Sequence, residues 1–154
     1  MRIALGCDEA AYYLKESIKK YLVDLGEEVE DFGVYDTEPS LYPDVAVIVA
    51  KSIVKGKNER GILLCGTGIG MAITANKVPG IRAAVCHDVY SAERSIKSNN
   101  AQIMTIGARV IGEELAKSLV RIWLKSEFQH GGSTAKINRI SEYENEFLKG
   151  YKQS

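Results

Sequence analysis

The chain has 154 residues, 45% hydrophobic and 26% charged, the balance of a single soluble domain long enough to bury a core without disulfide or metal staples. Twenty basic and twenty acidic side chains cancel, which argues against a broad basic surface for nucleic acid but not against a small basic pocket. No apolar run approaches the roughly 20 residues that span a bilayer, and three cysteines without framework spacing read as the reduced thiols of a cytoplasmic protein.

Arg2 to Cys7 is a short apolar run that reads as a first strand, too short for the core of a signal peptide. Asp8-Glu9 ends it, and helical spacing follows over Ala10 to Leu25, with Leu14, Ile18, Tyr21, Leu22 and Leu25 inward and Gly26 as a stop. Glu28 to Phe32 alternates like a second strand. Gly33 to Pro43 is a loop, and Asp44 to Val54 a helix with Val45, Ile48, Val49 and Ile53 inward. A third strand, with Gly61 to Leu64 as its buried end, finishes at Cys65. A glycine turn then feeds a helix from Met71 to about Lys77, which Pro79-Gly80 breaks. Ile81 to Cys86 is a fourth strand, Asp88 to Lys97 a helix that Asp88 caps, and Asn99-Asn100 a turn. Ile103 to Ile106 is a fifth strand, and Glu113 to Lys125 a helix with Leu115, Leu119, Ile122 and Trp123 inward. A loop at Gly131 to Thr134 precedes a charged last helix, Ile137 to Tyr151, which reads as lying across a neighbour.

Strict alternation of strand and helix predicts an α/β domain, a five-stranded parallel sheet covered on both faces in three layers. Ligands of such sheets bind at the carboxyl ends of the strands. Cys7-Asp8, Cys65-Gly66 and Cys86-His87 all fall at such ends and share one rim.

The densest signal is GILLCGTGIGMAITA, Gly61 to Ala75. A strand that breaks into Gly66, Gly68 and Gly70 and reopens as a helix presents bare backbone N–H groups, which favour anions. Close strand–helix packing is the other use for such glycines. The G-x-G-x-G spacing differs from the G-x-G-x-x-G of dinucleotide folds, and no Walker lysine follows, so nucleotide-binding readings are set aside. Cys65 at the lip is either a base, with turn amides favouring its anionic form, or a small buried hydrophobe. Cys7 and Cys86 read as core. A zinc site from Cys7, Cys65, Cys86 and His87 has no C-x-x-C pair behind it. Asp8 and Glu9 either cap the first helix or hold the hydroxyls of a sugar, and capping is favoured for Glu9. His87 is either an acid–base group or an exposed loop histidine.

The string CGTGIGMAITANKVPGIRAAVC closely resembles the signature of the ribose-5-phosphate isomerase B and galactose-6-phosphate isomerase (LacA/LacB) family. The opening GCD, Tyr42-Pro43, Asn99-Asn100, Gly107 to Gly112 and the late glycine pair extend the likeness over nearly the whole chain. The resemblance implies a Rossmann-like fold and a cofactor-free aldose–ketose isomerase of the pentose phosphate pathway type. It also implies a homodimer, often paired into a tetramer, whose C-terminal helices reach the partner and whose active sites are shared. Neither nucleic acid nor membrane is an expected partner. Carried over by position, Cys65 is the base that moves a proton between C1 and C2 through a cis-enediolate. Some relatives instead use a glutamate at the position of Met71. Backbone amides from Gly66 through Gly68, Ile69 and Gly70 hold the enediolate oxygen, and Thr67 assists the proton relay. Asp8 and Tyr42 line the sugar. Asn99 and Arg109 are expected from the partner, with Arg109 on the phosphate.

Three positions depart from the family pattern. Glu9 stands where a histidine is usual, and Ser98 replaces the histidine assigned to ring opening. Ser133-Thr134 and Lys136 replace late basic residues, which leaves phosphate binding to Arg109 and Lys136, with Ser133 or Thr134 as a further contact. A furanose forms through O4, and in a tetrose 4-phosphate that oxygen carries the phosphate, so such a sugar needs no ring opening. The stretch HDVYSAER with SNNAQ also resembles members linked to tetrulose phosphate metabolism. D-erythrulose 4-phosphate therefore rivals ribose 5-phosphate as substrate, with His87 or a water as an alternative ring opener. A non-catalytic sugar-phosphate sensor is the reading from another class, although such a sensor has no use for Cys65 as a base.

Overall fold

A computed structural model describes residues 1–150. Tyr151, the expected end of the last helix, lies outside the described residues. Strands β1 (Arg2–Cys7), β2 (Glu28–Asp31), β3 (Arg60–Cys65), β4 (Ala83–Val85) and β5 (Ile103–Gly107) form one parallel sheet in the order β2-β1-β3-β5-β4. Successive strand residues point to opposite faces, so a strand buried on both sides must be apolar throughout. In β1, Ile3 and Leu5 enter one core while Ala4 enters the other.

The first core joins the sheet to α1 (Tyr12–Asp24), α4 (Val89–Lys97) and α5 (Glu113–Lys125), through Ile18, Leu22, Ile96 and Trp123. The second joins it to α2 (Tyr42–Val54) and α3 (Ile69–Ala75), through Val45, Val49, Met71 and Ala75. These are the three expected layers. The chain steps outward from β1 to β2 and then returns to β3 on β1's other side. The helices that follow β1 and β3 therefore lie on opposite faces, and a crevice opens between the two strand ends. Among the described residues no helix is long and apolar enough to cross a membrane.

Several boundaries differ from the sequence expectation. Asp8 caps a 3-10 turn (Glu9–Ala11), accepting from the Ala10 N–H at 3.0 Å, and α1 starts only at Tyr12. Helix α2 starts at Tyr42 rather than Asp44 because proline is tolerated in a first helical turn. Helix α3 starts at Ile69 rather than Met71 because Gly68, at φ +77°, turns the chain into it. Strand β4 is shorter than expected at both ends. Leu25, Ile48 and Leu115, expected inward, are exposed. Leu25 lies just beyond the end of α1. Ile48 and Leu115 flank buried stripes that small neighbours complete, Ala46 and Ala50 in α2 and Ala116 in α5.

Helix α6 (Thr134–Gly150) stands apart. Only Ile137 of this helix is buried, while Ile140, Tyr143 and Leu148 are exposed. The helix is tied to the loop before β4 by the Gly80 N–H, which donates to Glu144 Oε2 at 2.9 Å.

One ion cluster holds the β2 end. Lys15 is fully buried, and its Nζ donates to both Asp31 carboxylate oxygens at 3.0 and 2.9 Å and to the Val34 carbonyl at 2.8 Å. Lys19 adds a 2.8 Å contact to Asp31. Burial alone would raise the Asp31 carboxyl, but hydrogen bonds from Lys19, Lys15 and the Gly33 N–H outweigh it and hold it below its ordinary range. Breaking a buried pair strands the other charge, so Lys15→Ala is expected to destabilise the fold by roughly 3–5 kcal/mol, read from urea unfolding at neutral pH. Because the Asp31 pKa is depressed on folding, its contribution is present above its unfolded value and lost as pH falls through the folded one.

Candidate active site

Cys65 closes β3 and sits beside Gly107, the last residue of β5. It is 5% exposed, and its Sγ accepts the Gly68 N–H at 3.1 Å. Cys7 and Cys86 belong to the opposite core. Burial pushes their thiols up, to about 12 and about 11 respectively, so both are protonated core groups. That separation also removes the four-residue zinc reading, and among the described residues no three metal-ligating side chains cluster.

The glycine turn is held mainly by β5 and the residues after it. The buried Thr105 Oγ1 donates to the Gly68 carbonyl at 2.8 Å. The Ala108 N–H donates to the Cys65 carbonyl at 2.8 Å and the Arg109 N–H to the Gly66 carbonyl at 3.0 Å. Gly107 lies so close that a Cβ there would stand 2.7 Å from the Thr67 backbone. Within the turn, Thr67 Oγ1 accepts the Ile69 N–H at 3.3 Å. The amides of Gly68 and Ile69, both expected at an oxyanion, are thus engaged by the turn itself. Those of Gly66, Thr67 and Gly70 lie outside these bonds. Tyr42 covers Gly70, where a Cβ would come within 2.6 Å of its hydroxyl.

Arg109 corrects an expectation. It does not depend on a second chain to reach the glycine turn, because its Nη1 lies 3.3 Å from where a Gly66 Cβ would stand in the same chain. Its charge is felt by Asp8 and Glu9. Asp8 is nearly buried, and burial first, then Glu9, raises its carboxyl above the ordinary range against the pull of the Ala10 and Ala11 amides and Arg109. Glu9 serves the fold more than a ligand. Its Oε2 accepts from the Ser40 hydroxyl at 2.6 Å and the Ser40 N–H at 3.1 Å, tethering the loop that leads to Tyr42. Those bonds lower its carboxyl.

His87 is neither exposed nor free. It is half-buried, and its Nε2 accepts the Gly107 N–H at 2.8 Å.

Ser98, Asn99 and Lys136 lie at the other end of the molecule. Helix α4 runs back from the carboxyl rim, and Asn99 precedes β5, whose first residue Ile103 pairs with Gly61. Cys65 is four residues further along β3, about 13 Å at the rise of a strand. The Ser98 Oγ accepts from Arg94 Nε at 2.7 Å. The Gln129 N–H donates to the Lys97 carbonyl at 3.0 Å, which places the start of α6, with Lys136, at that same end. A groove of about 670 Å³ opens there along the β4 edge, lined by Ala83, Val85, Tyr90, Arg94, Asn99 and Ile140. The predicted residues thus fall into two separate groups, one around Cys65 and one around Asn99. Sequence reasoning missed Thr105 and Ser40. Neither belongs to a motif, and only the folded register shows what they hold.

Because Gly107 meets backbone rather than a movable side chain, Gly107→Ala must displace the Thr67 turn. It is expected to lower kcat/KM at least about 100-fold, the usual cost of misplacing reacting groups by an ångström, while the far-UV circular dichroism stays that of the folded chain.

Residues 3–140 match the family model described as Ribose/Galactose Isomerase. The chain is 55% identical over 147 residues to D-erythrulose-4-phosphate isomerase of Pectobacterium atrosepticum, covering 95% of this chain and 97% of that one. It is 54% identical to ribose-5-P isomerase B of Listeria innocua, covering 92% and 96%. The solved ribose-5-phosphate isomerase B of Clostridium thermocellum superposes with a TM-score of 0.94 at 45% identity, covering 96% of this chain and 99% of that one. With the fold, the glycine turn and this likeness in agreement, the chain belongs to the ribose/galactose isomerase family.

Proposed function

We propose that Cys65 is the base with which this isomerase interconverts an aldose phosphate and its ketose through a cis-enediolate. The observation that carries this is the placement of the Cys65 sulfur, nearly buried, against a glycine turn whose Gly66 faces Arg109 and whose Gly70 is covered by Tyr42. A proton next to a carbonyl is too weakly acidic to leave unaided. The sulfur takes it from one carbon of the open-chain sugar and returns it to the neighbour. The hydroxyl proton moves between the two oxygens, with Thr67 as relay, so no electron acceptor and no cofactor enter the balance. The Gly66, Thr67 and Gly70 amides stabilise the oxygen that becomes negative, where one well-aimed donor contributes on the order of 3 kcal/mol. Asp8 and Tyr42 hold the sugar. Arg109 and Lys136 bind the phosphate, an anion that an arginine fork fits well.

The other half of the reading is a homodimer with shared sites, in which Asn99 and Lys136 of one chain complete the Cys65 site of the other. Support comes from the separation of the two groups of residues within one chain and from the exposed Ile140, Tyr143 and Leu148 of α6, which suit contact with a second copy. Pairs of such dimers would give a tetramer. The buried, free thiols suit a reducing cytoplasm.

Cys65→Ala is expected to abolish exchange of solvent deuterium into the sugar while leaving phosphate binding intact. Exchange at the wild-type rate would remove Cys65 from the chemistry, and no exchange in the wild-type protein would favour a sensor. Mixing Cys65→Ala with Asn99→Ala after unfolding and refolding together should restore about a quarter of wild-type activity, since random pairing gives half heterodimers with one intact site each. No recovery would sink the shared site.

Ribose 5-phosphate is the nominal substrate. A second reading, D-erythrulose 4-phosphate to D-erythrose 4-phosphate, is favoured by Ser98, whose hydroxyl is turned to Arg94 rather than replacing a ring-opening group. If the tetrose is the substrate, kcat/KM for erythrulose 4-phosphate exceeds that for ribose 5-phosphate under identical conditions, and Ser98→His raises only the pentose rate.

A further inference from the structure

We propose that His87 is a positioning residue whose neutral imidazole holds the end of β5 against the glycine turn. Three contacts converge on that end. The Gly107 N–H donates to His87 Nε2 at 2.8 Å. Gly107 also lies against the Thr67 backbone with no room for a Cβ. The next two residues bind the turn through the Cys65 and Gly66 carbonyls. His87 therefore supports the peptide from which both the Cys65 turn and Arg109 are hung, without standing in the crevice as a proton donor. It acts through Gly107 and not on the sugar, and only the kinetic part of the proposal rests on the isomerase reading above.

The bond has a required protonation state. A backbone N–H can only donate, so the ring nitrogen facing it must carry a lone pair and the proton must sit on Nδ1. Protonating the ring sets one N–H against another. Asp88, beside His87 on the same loop, is the charge that would favour protonation, but its carboxylate is turned to the Ser91 N–H at 2.7 Å. The neighbouring thiol Cys86 is a buried core group. The segments on the other side, the end of β5 and the glycine turn, carry Arg109 and Cys65 as their titratable groups. Burial outweighs Asp88 and lowers the His87 pKa from its ordinary 6.5. The folded chain thus binds this proton less readily than the unfolded one. Its contribution to stability is full above about pH 6.5 and falls away as pH drops through the folded value.

The test uses the full chain labelled with nitrogen-15. Between about pH 8 and pH 5, the His87 ring should show Nδ1 protonated and Nε2 bare, and the Gly107 amide resonance should move with the His87 titration. The exposed His130 supplies the comparison ring. In steady-state assays, His87→Gln, whose side-chain oxygen can accept the same N–H, should retain roughly tenfold more kcat/KM than His87→Leu. The ratio of wild-type to His87→Gln rates should fall as pH drops below about 6.5. A proton on Nε2 at neutral pH, or a Gly107 amide that ignores the titration, would overturn the proposal. So would His87→Leu matching wild type, and equal losses in both variants would make His87 a proton-transfer group instead. If no sugar phosphate is turned over while the two resonances still titrate together, the isomerase reading fails and the His87–Gly107 bond stands.

Discussion

The site depends on one backbone-on-backbone contact. Gly107 at the end of β5 touches Thr67 in the turn after β3, with no side chain between them. Parallel pairing brings Cys65 and Gly107 side by side, and the twist of the sheet decides how their following turns meet. Because both partners are main chain, neither can give way as a rotamer can. Thr105 adds a buried hydroxyl bond to Gly68, and Ala108 and Arg109 add two amide bonds to the turn. A thiol and an arginine are thereby held at one rim by groups that carry no chemistry themselves. Such preorganisation supplies rate because it removes the cost of reorienting donors during the reaction.

The same sheet explains why the candidate residues gather at two ends. Every helix of a parallel sheet returns to the starting end before the next strand. Residues that follow a strand gather at the carboxyl rim, as do Asp8, Cys65 to Gly70, His87 and Arg109. Residues that precede a strand gather at the opposite end, as do Ser98 and Asn99. No adjustment of side chains moves a group across the length of β3. Helix α6 stays mostly unburied and apolar along one side.

Much of this was legible in the sequence, for identifiable reasons. Strands buried on both faces need apolar runs, so β1, β3 and β5 stood out, while β2 was read from its alternation. The glycine turn was legible because only glycine permits the φ of +77° at position 68 or the approach of Tyr42 over position 70. Residues defined by partners far along the chain were less visible. His87 read as an exposed loop histidine or an acid–base group, because nothing nearby in sequence announces Gly107. Glu9 read as a cap or a ligand contact, because Ser40 lies thirty-one residues away. Arg109 was assigned to a second chain by likeness alone, and its fold back over Gly66 follows from the turn after β5.

Two of the departures from the family pattern share a physical character. A polar side chain in a crevice must find partners or pay for its lost hydration. Glu9 finds Ser40, and Ser98 finds Arg94. Each has its hydrogen bonding met within its own chain. Groups turned inward in this way leave fewer free contacts for any substrate that reaches both of them. A pentose phosphate loses contacts in such a site that a shorter, open-chain sugar does not need. The pairing of Glu9 with Ser40 and of Ser98 with Arg94 therefore points the same way as the missing ring-opening histidine, toward the four-carbon substrate.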